Sequence, residues 1–362
     1  MPLPFIIAGA AIAATAVGAK KGYDGYKDKN RADDILNIAT NKYREKKITF
    51  DQNNDKTSLT LETLGELELK IGSDFDKFDR LIEEILKNNS FQKHGEMKID
   101  LPKHKLNQIK DVAISATDYL RTIVGGSASG AAAGFAVYGG VMALGAASTG
   151  TPIAALSGAA AYNATMAAIG GGSLATGGWG MAGGAMVLGG AVVAPLLAVA
   201  GIAYAIHGSK ALENAEEAKQ QVAEAINKMM KAEEQLLRVD QYAQAIIDEL
   251  EKVYVVFNEY FDLLKDINTV IKQGDLEEIK AITPTANLYI QNGITLAAIM
   301  AKLISTPLFK VERDFEGTVI LGNDNTPQIR VDENGMQILD KARLDRALEV
   351  SSKDLDLFKN PH

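Results

Sequence analysis

The sequence contains no cysteine, and this absence excludes several kinds of chemistry together. Disulfide bonds, thiolate nucleophiles and cysteine-ligated metal ions all require the missing side chain. A chain without cysteine suits a reducing compartment, where disulfides are rare.

The chain also lacks any excess of basic residues. Its formal net charge is -8, and its isoelectric point is near 5.2. Binding to nucleic acid depends on clustered cations that neutralise phosphates, so we expect no nucleic-acid partner. The same acidity leaves no broad polybasic surface for anionic lipid headgroups.

Charged residues are missing from the middle of the chain. From Thr122 to Ser209, 88 consecutive residues include no Asp, Glu, Lys or Arg, and the same stretch holds 21 of the 33 glycines. Roughly a quarter of the residues in a soluble domain are charged. The uncharged stretch is therefore either deeply buried or adapted to lipid.

No arrangement of residues in the sequence indicates catalysis. The motif G-x-G-x-x-G does occur at Gly178 to Gly183, but no buried strand precedes it and no acidic residue follows at the required distance. The histidines have no metal-binding spacing; they are His94, His104, His207 and His362. We expect no enzyme activity, no catalytic residue, no cofactor and no metal site.

Two segments of the uncharged stretch are long enough to cross a bilayer of about 30 Å, namely Ile123 to Ala147 and Met181 to Ile206. Glycines four residues apart recur in the stretch, a glycine-zipper spacing that lets helix backbones approach closely in lipid. Pro195 predicts a kink, and Trp179 and Tyr204 are suited to the membrane interface. The residues predicted to serve insertion or helix packing are Gly126, Gly130, Gly134, Gly180, Gly184, Trp179, Pro195 and Tyr204.

The flanks predict long helices. The patterns favour a polar helix over residues 30–47, a turn at Asp51 to Asp55, and an amphipathic helix over residues 58–88. A further helix begins near Lys103 and crosses Arg121 into the uncharged stretch without an intervening proline.

The segment from Ser209 to Gln273 contains no Gly or Pro and predicts one very long helix with coiled-coil spacing. A second apolar stripe in its later half, which includes Ile246 and Val253, predicts more than one packing partner there. The residues that we predict to form the seam of a bundle or oligomer are Ile247, Leu250, Tyr254, Phe257, Phe261 and Leu264.

The last part of the chain changes character. We expect a short helix that stops before Pro284, a helix at Ala286 to Ile304, short strands from Thr318 with a hairpin at Asn334 and Gly335, and a final helix ending near Leu357.

The N-terminus carries 17 uncharged residues, Leu3 to Ala19, followed by two lysines. A secretory signal has its basic residues before the apolar core, so we interpret this segment as an uncleaved hydrophobic helix. The predicted regions are an apolar N-terminal helix with a polar flank (1–29), an amphipathic helical region (30–121), the uncharged stretch (122–209), a coiled-coil helix (210–273) and C-terminal helices with a short β-hairpin (274–362).

Several blocks carry a resemblance: MPLPFIIAGAAIAATAVGAKKGYD at the start, and GTPIAALSGAAAYNATMAAIGGGSLATGGWGMAGGAMVLGG in the uncharged stretch. They resemble a group of bacterial helical proteins with a glycine-rich central block. Over about residues 103–273, the order of features is similar to that of apolipoprotein L-like proteins and of pore-forming toxins of the cytolysin A type. That resemblance implies long helices that conceal an apolar hairpin.

The fold class expected is therefore mainly α: a long-helix bundle or coiled coil that encloses a glycine-rich apolar helical hairpin, with a small β element near the C-terminus. We expect a homo-oligomer that inserts the hairpin into a bilayer and permeabilises or remodels it, from the cytoplasmic side of a bacterial membrane. The alternative is a soluble adaptor whose uncharged stretch is a permanent core and whose long helix docks a partner protein.

Overall fold

The structure is a computed structural model. It describes residues 19–88, 103–123, 132–133, 135–137, 211–274, 276–320, 328–332 and 337–360. Five long helices account for most of these residues: α1 (Ala19–Lys87), α2 (Lys103–Ile123), α3 (Ala211–Gln273), α4 (Leu276–Ile304) and α5 (Lys341–Lys359). The chain divides into two compact units, and the described residues of the first are 19–48 and 211–228.

In the second unit, α1 and α3 run parallel, and each residue of α1 faces the residue about 180 positions later. Asn53 Nδ2 donates to Glu233 Oε1 at 2.6 Å, and Asn268 Nδ2 donates to Glu84 Oε2 at 3.0 Å. The spacing between partners is nearly the same at both ends of the contact, as parallel helices require. Buried residues on α1 follow alternating steps of four and three, which is coiled-coil spacing. They are Phe50, Asn54, Thr57, Leu61, Leu64, Glu68, Ile71, Phe75, Phe78, Ile82 and Ile85.

The remaining helices cover this pair within the second unit. On α2, Lys110 lies near Glu83 of α1, whereas Ala116 lies against Gly72, so α2 runs antiparallel to α1. Gly274 has a φ of 81° and ends α3, after which α4 packs against α3, with the rings of Tyr260 and Tyr289 5.7 Å apart. Helix α4 also contacts α2 and α5.

Helix α5 runs parallel to α3. Tyr242 donates to Asp345 Oδ1 at 2.6 Å, and the rings of Tyr260 and Phe358 lie 5.9 Å apart further along. The later half of α3 thus packs against several helices, as its second apolar stripe predicts, and Ile246 and Val253 are buried.

In the first unit, the described parts of α1 and α3 bury small side chains at coiled-coil spacing. The buried residues are Ala32 and Ala39 on α1 and Ala215, Ala218, Val222 and Ala225 on α3.

The turn predicted at Asp51 to Asp55 is wrong, because α1 continues through it as one helix. Asn53, inside the predicted turn, bonds Glu233 of α3 instead, and just after the turn the hydroxyl of Thr57 donates to the carbonyl of Leu236 at 3.3 Å. Tertiary contacts of this kind override weak local preferences.

The break predicted before Pro284 is also wrong, since α4 is continuous from Leu276 to Ile304 with Pro284 inside it. A proline removes one backbone hydrogen bond and crowds the preceding turn. Just before it, the Thr283 hydroxyl donates to the Ile279 carbonyl at 2.7 Å, and the later part of α4 is almost entirely buried. Burial of this apolar helix outweighs the local cost of the proline.

The short strands expected near the C-terminus are not seen, and isolated antiparallel bridges occur in their place among the described residues. Backbone bonds form two closed rings of three residues. In the first ring, Lys310 donates to Ile338, Ile338 to Arg330, and Arg330 to Lys310, at 2.8 to 2.9 Å. The second ring joins Glu312, Gln328 and Ile320 in the same way. We call residues 308–320, 328–332 and 337–340 the β-cap.

The fold class is therefore mainly α, a bundle of long helices, as the sequence predicts. Among the described residues, no helix combines the length and apolar character needed to cross a membrane. The two segments predicted to span a bilayer lie almost entirely outside those residues.

Candidate functional site

The candidate site is the place where α1 meets the beginning of the uncharged stretch. Gly65, Glu68 and Gly72 lie three and four residues apart, so they share one face of α1. All three are buried. We call these three residues the glycine face.

Gly65 allows direct contact between backbones. A Cβ atom placed on Gly65 would lie 1.7 Å from the carbonyl oxygen of Ala132 and 2.3 Å from its carbonyl carbon. Both atoms belong to the main chain and cannot rotate away, so any side chain at this position would force the two segments apart.

Gly72 has a similar role toward α2. A Cβ atom there would lie 2.4 Å from the Cβ of Ala116 and 3.2 Å from the carbonyl oxygen of Val112. Small residues on both helices therefore bring α2 close to α1 just before the uncharged stretch begins.

Residues 132, 133 and 135–137 of the uncharged stretch are helical and belong to the core. Phe135 is fully buried, and its ring lies 5.2 Å from that of Tyr119 on α2. Ala132, Ala136 and Val137 are buried as well. Part of the first predicted membrane segment is thus covered by α1 and α2.

Glu68 places a carboxyl group in the buried seam of α1, between the apolar seam residues Leu64 and Ile71. Its side chain is buried, and burial raises the pKa of Glu68 well above its ordinary value of 4.5. Its Oε2 atom has no hydrogen-bond partner among the described residues. Burying a charged carboxylate with one oxygen unpaired is costly, so the neutral acid is favoured here.

The six predicted seam residues of α3 are all buried. Phe257 packs edge-to-face against Phe78 of α1 at a centroid distance of 5.0 Å, and Phe261 packs against the same ring at 5.7 Å. Edge-to-face pairs of this kind add to the energy of burial. Within one chain, these residues pack in the interior of the bundle.

Two tyrosines anchor α3 to its neighbours. The hydroxyl of Tyr254 donates to Asp74 of α1, and burial, with this bond, raises the pKa of Tyr254. Burial and the hydrogen bond to Asp345 raise the pKa of Tyr242 to about 12. Both phenols stay protonated at neutral pH and act as fixed donors.

The predicted insertion residues lie outside the described residues. They are Gly126, Gly130, Gly134, Gly180, Gly184, Trp179, Pro195 and Tyr204. The predicted hairpin at Asn334 and Gly335 lies outside them as well.

Sequence reasoning missed the glycine face. Gly65 and Gly72 count against helix formation when α1 is considered alone, because glycine destabilises a helix interior. Their separation of seven residues places them on one side of the helix, next to the apolar seam. This spacing is the sequence feature that could have predicted a close contact with another helix.

Across the described part of the chain, no group of three or more His, Cys, Asp or Glu residues is arranged to hold a metal ion. Comparisons with protein-family models, with curated proteins and with solved structures found no match.

Proposed function

We propose that this protein is a membrane-associating helical bundle that inserts its uncharged stretch into a bilayer, as an oligomer, and permeabilises or remodels it. The bundle shelters the beginning of the stretch against the glycine face until insertion. The target is a bacterial membrane, reached from the cytoplasmic side.

The observation that carries this proposal is the 88-residue uncharged stretch, rich in glycine, in which the backbone of Ala132 lies against Gly65. Soluble monomers tolerate only a few hundred Å² of contiguous apolar surface. A stretch of this length therefore needs a cover, which is provided by helices before insertion and by lipid afterwards.

The contact at Gly65 also supports the proposal that the bundle can release the beginning of the uncharged stretch. It joins two backbones through glycine and alanine, with little apolar side-chain area between them. Glu68 beside it lacks a partner for one oxygen among the described residues and weakens this region further. Separating Ala132 from Gly65 therefore uncovers little apolar area, and exposure of Phe135 is the main cost of releasing this segment.

The second candidate is a soluble adaptor whose uncharged stretch is a permanent core. The full burial of Phe135 favours it, because that ring is packed as an ordinary core residue. In this case, the long helix α3 would serve as the docking surface for a partner protein.

Flotation with liposomes separates the two functions. The purified chain is mixed with vesicles and centrifuged through a density gradient. An inserting protein rises with the lipid and resists extraction by high salt, whereas an adaptor stays at the bottom of the gradient.

Release of a trapped dye from the same vesicles tests permeabilisation. Gly130→Leu places a large side chain on the predicted glycine zipper, and we expect it to abolish release while leaving flotation intact. Dye release by this variant at the wild-type rate would contradict a pore built by close helix contact.

A further inference from the structure

A carboxyl group lies at the centre of the glycine face. Glu68 is 4% exposed and stands between Gly65 and Gly72, one helical turn from each. On one side of it the backbone of α1 touches that of Ala132, and on the other side it lies against Ala116. These two close contacts keep the carboxyl group away from water for as long as the segments stay packed.

Helix α3 supplies no charge that could neutralise this group. Thr60 bonds Asp240 and Tyr254 bonds Asp74, so the part of α3 between these two pairs lies level with Glu68. The titratable residues in that interval are exposed or bonded to other residues: Tyr242, Asp248, Glu249, Glu251 and Lys252.

On α1 itself, the nearest charged residues point elsewhere. Glu66 is exposed, and the Nζ atom of Lys70 lies 5.1 Å from the centre of the Tyr254 ring. Glu68 therefore has no counter-ion on its own helix.

The other neighbouring helices complete this setting. The part of α2 that passes Glu68 includes Asp118, which is half-buried, and Tyr119, which is buried. The side chain of Arg121 lies outside the described residues, and the one charged residue in the later half of α4, Lys302, is exposed. Burial is the cause that raises the pKa of Glu68, and no charge of the described side chains contributes.

We propose that Glu68 is a pH-sensitive switch in the glycine face: its neutral form holds residues 132–137 against α1, and its ionisation opens this contact. In the closed contact the negative charge has no partner, whereas water solvates it once the contact opens. Opening is therefore favoured as pH rises from 4.5, the ordinary pKa, toward the raised pKa of the closed contact. Below pH 4.5 the contact keeps its full stability.

The switch rests on the proposed function only for its consequence in lipid, where opening frees the beginning of the uncharged stretch to enter a bilayer. The opening itself belongs to the folded chain and is measured without lipid.

Ala136→Cys reports the opening, because it places a thiol in the buried segment of a chain that has no cysteine of its own. The rate of alkylation in the folded chain is divided by the rate in the same chain unfolded at the same pH, which removes the titration of the thiol. We expect this ratio to rise at least about tenfold from about pH 5.5 to about pH 8.5. Val137→Cys is a second reporter in the same segment.

Three matched variants identify the group responsible. Adding Glu68→Gln to the reporter chain removes the charge and should keep the ratio level over the same pH range. Ala243→Cys, buried in the core on α3, reports general loosening and should stay level as well. Arg121→Gln in the reporter chain should leave the rise unchanged, because the switch depends on a carboxylate without a partner.

The proposal is overturned if the ratio stays level in the reporter chain, if the rise persists with Glu68→Gln, or if Ala243→Cys shows the same rise. Loss of the rise with Arg121→Gln overturns it too. Circular dichroism confirms that each variant keeps its helices at every pH.

Flotation over the same pH range separates this inference from the proposed function. The wild-type chain should float more completely at the higher pH, and Glu68→Gln should float equally at both. A chain whose thiol opens with pH but which never floats contradicts the membrane function alone. A wild-type chain that floats equally at both pH values contradicts the switch alone.

Discussion

The α1–α3 pair differs between the two units of the molecule, although the same two helices form it in both. In the first unit, the buried residues among those described are five alanines and one valine, such as Ala39 and Val222. In the second unit, the corresponding positions include Phe75, Phe78 and Phe257.

The difference shows how unevenly the stability of one long helix can be distributed. Hydrophobic stabilisation scales with the apolar area removed from water, so an alanine seam contributes little per residue. The seam of the second unit, which contains Phe75, Phe78 and Phe257, is the aromatic seam. It is covered by α2, α4 and α5, and its side chains remove far more apolar area from water. We therefore expect local opening in the first unit while the second stays folded.

The largest effect should follow from Phe257→Ala in the second unit. This change leaves a cavity among Phe75, Phe78 and Phe261, and we expect a loss of about 3–5 kcal/mol in the free energy of unfolding. Chemical denaturation followed by circular dichroism measures it. Val222→Ala is the matched change in the first unit, with an expected loss of about 2 kcal/mol or less. Equal losses would contradict the comparison.

Glu68→Gln should stabilise the second unit at neutral pH by about 1–3 kcal/mol, because it replaces a buried carboxyl with a neutral amide of similar shape. The pKa of Glu68 is raised on folding, so the folded state holds its proton more tightly than the unfolded state. Wild-type stability therefore falls as pH rises from about 4.5 to the raised pKa, and the glutamine variant lacks this fall.

Unfolding curves at several pH values check this prediction. The advantage of glutamine should be absent in acid and should grow above pH 4.5, the ordinary pKa of the carboxyl. Glu66→Gln, at an exposed position two residues away, is the control and should show no such growth. A glutamine variant less stable than wild type at neutral pH would show that the carboxylate is needed.

The smallest effect is expected for Asp240→Asn. Burial alone would raise the pKa of Asp240, but hydrogen bonds from Lys56 at 2.7 Å and from Thr60 at 2.7 Å outweigh it and lower the pKa. The resulting stabilisation exists above pH 3.8 and is lost as pH falls through the lowered pKa.

We expect a loss of at most about 1 kcal/mol from Asp240→Asn at neutral pH, since Lys56 is largely exposed and water screens the pair. The difference from wild type should disappear in acid denaturation curves. A loss as large as that of Phe257→Ala would mean that this polar contact, and not the aromatic seam, sets the stability of the bundle.

The helical architecture could be predicted from the sequence because it depends on periodicity. The heptad spacing of Leu250, Phe257 and Leu264 indicates the buried side of α3 without any knowledge of its partners. The extent of α3, predicted as Ser209 to Gln273, agrees with the observed Ala211–Gln273 to within two residues.

The errors arose where distant contacts decide the structure. Asn53 favours a turn locally, and its bond to Glu233 on α3, with that of Thr57 to Leu236, helps to hold this part of α1 in a helix. Pro284 is tolerated because the later part of α4 is buried. The glycine face could not be recognised as a contact surface, because its partners lie 44 and 67 residues further along, at Ala116 and Ala132.

The central claim is that the bundle shelters the beginning of the uncharged stretch at Gly65 and releases it to lipid. Flotation of Gly65→Leu with vesicles tests it most directly, because leucine cannot fit against the Ala132 backbone. Glu66→Leu adds the same side chain at an exposed position and serves as the control. We predict that Gly65→Leu floats more completely than wild type and Glu66→Leu. If all three chains stay folded and none floats, the membrane function is contradicted and the adaptor is favoured.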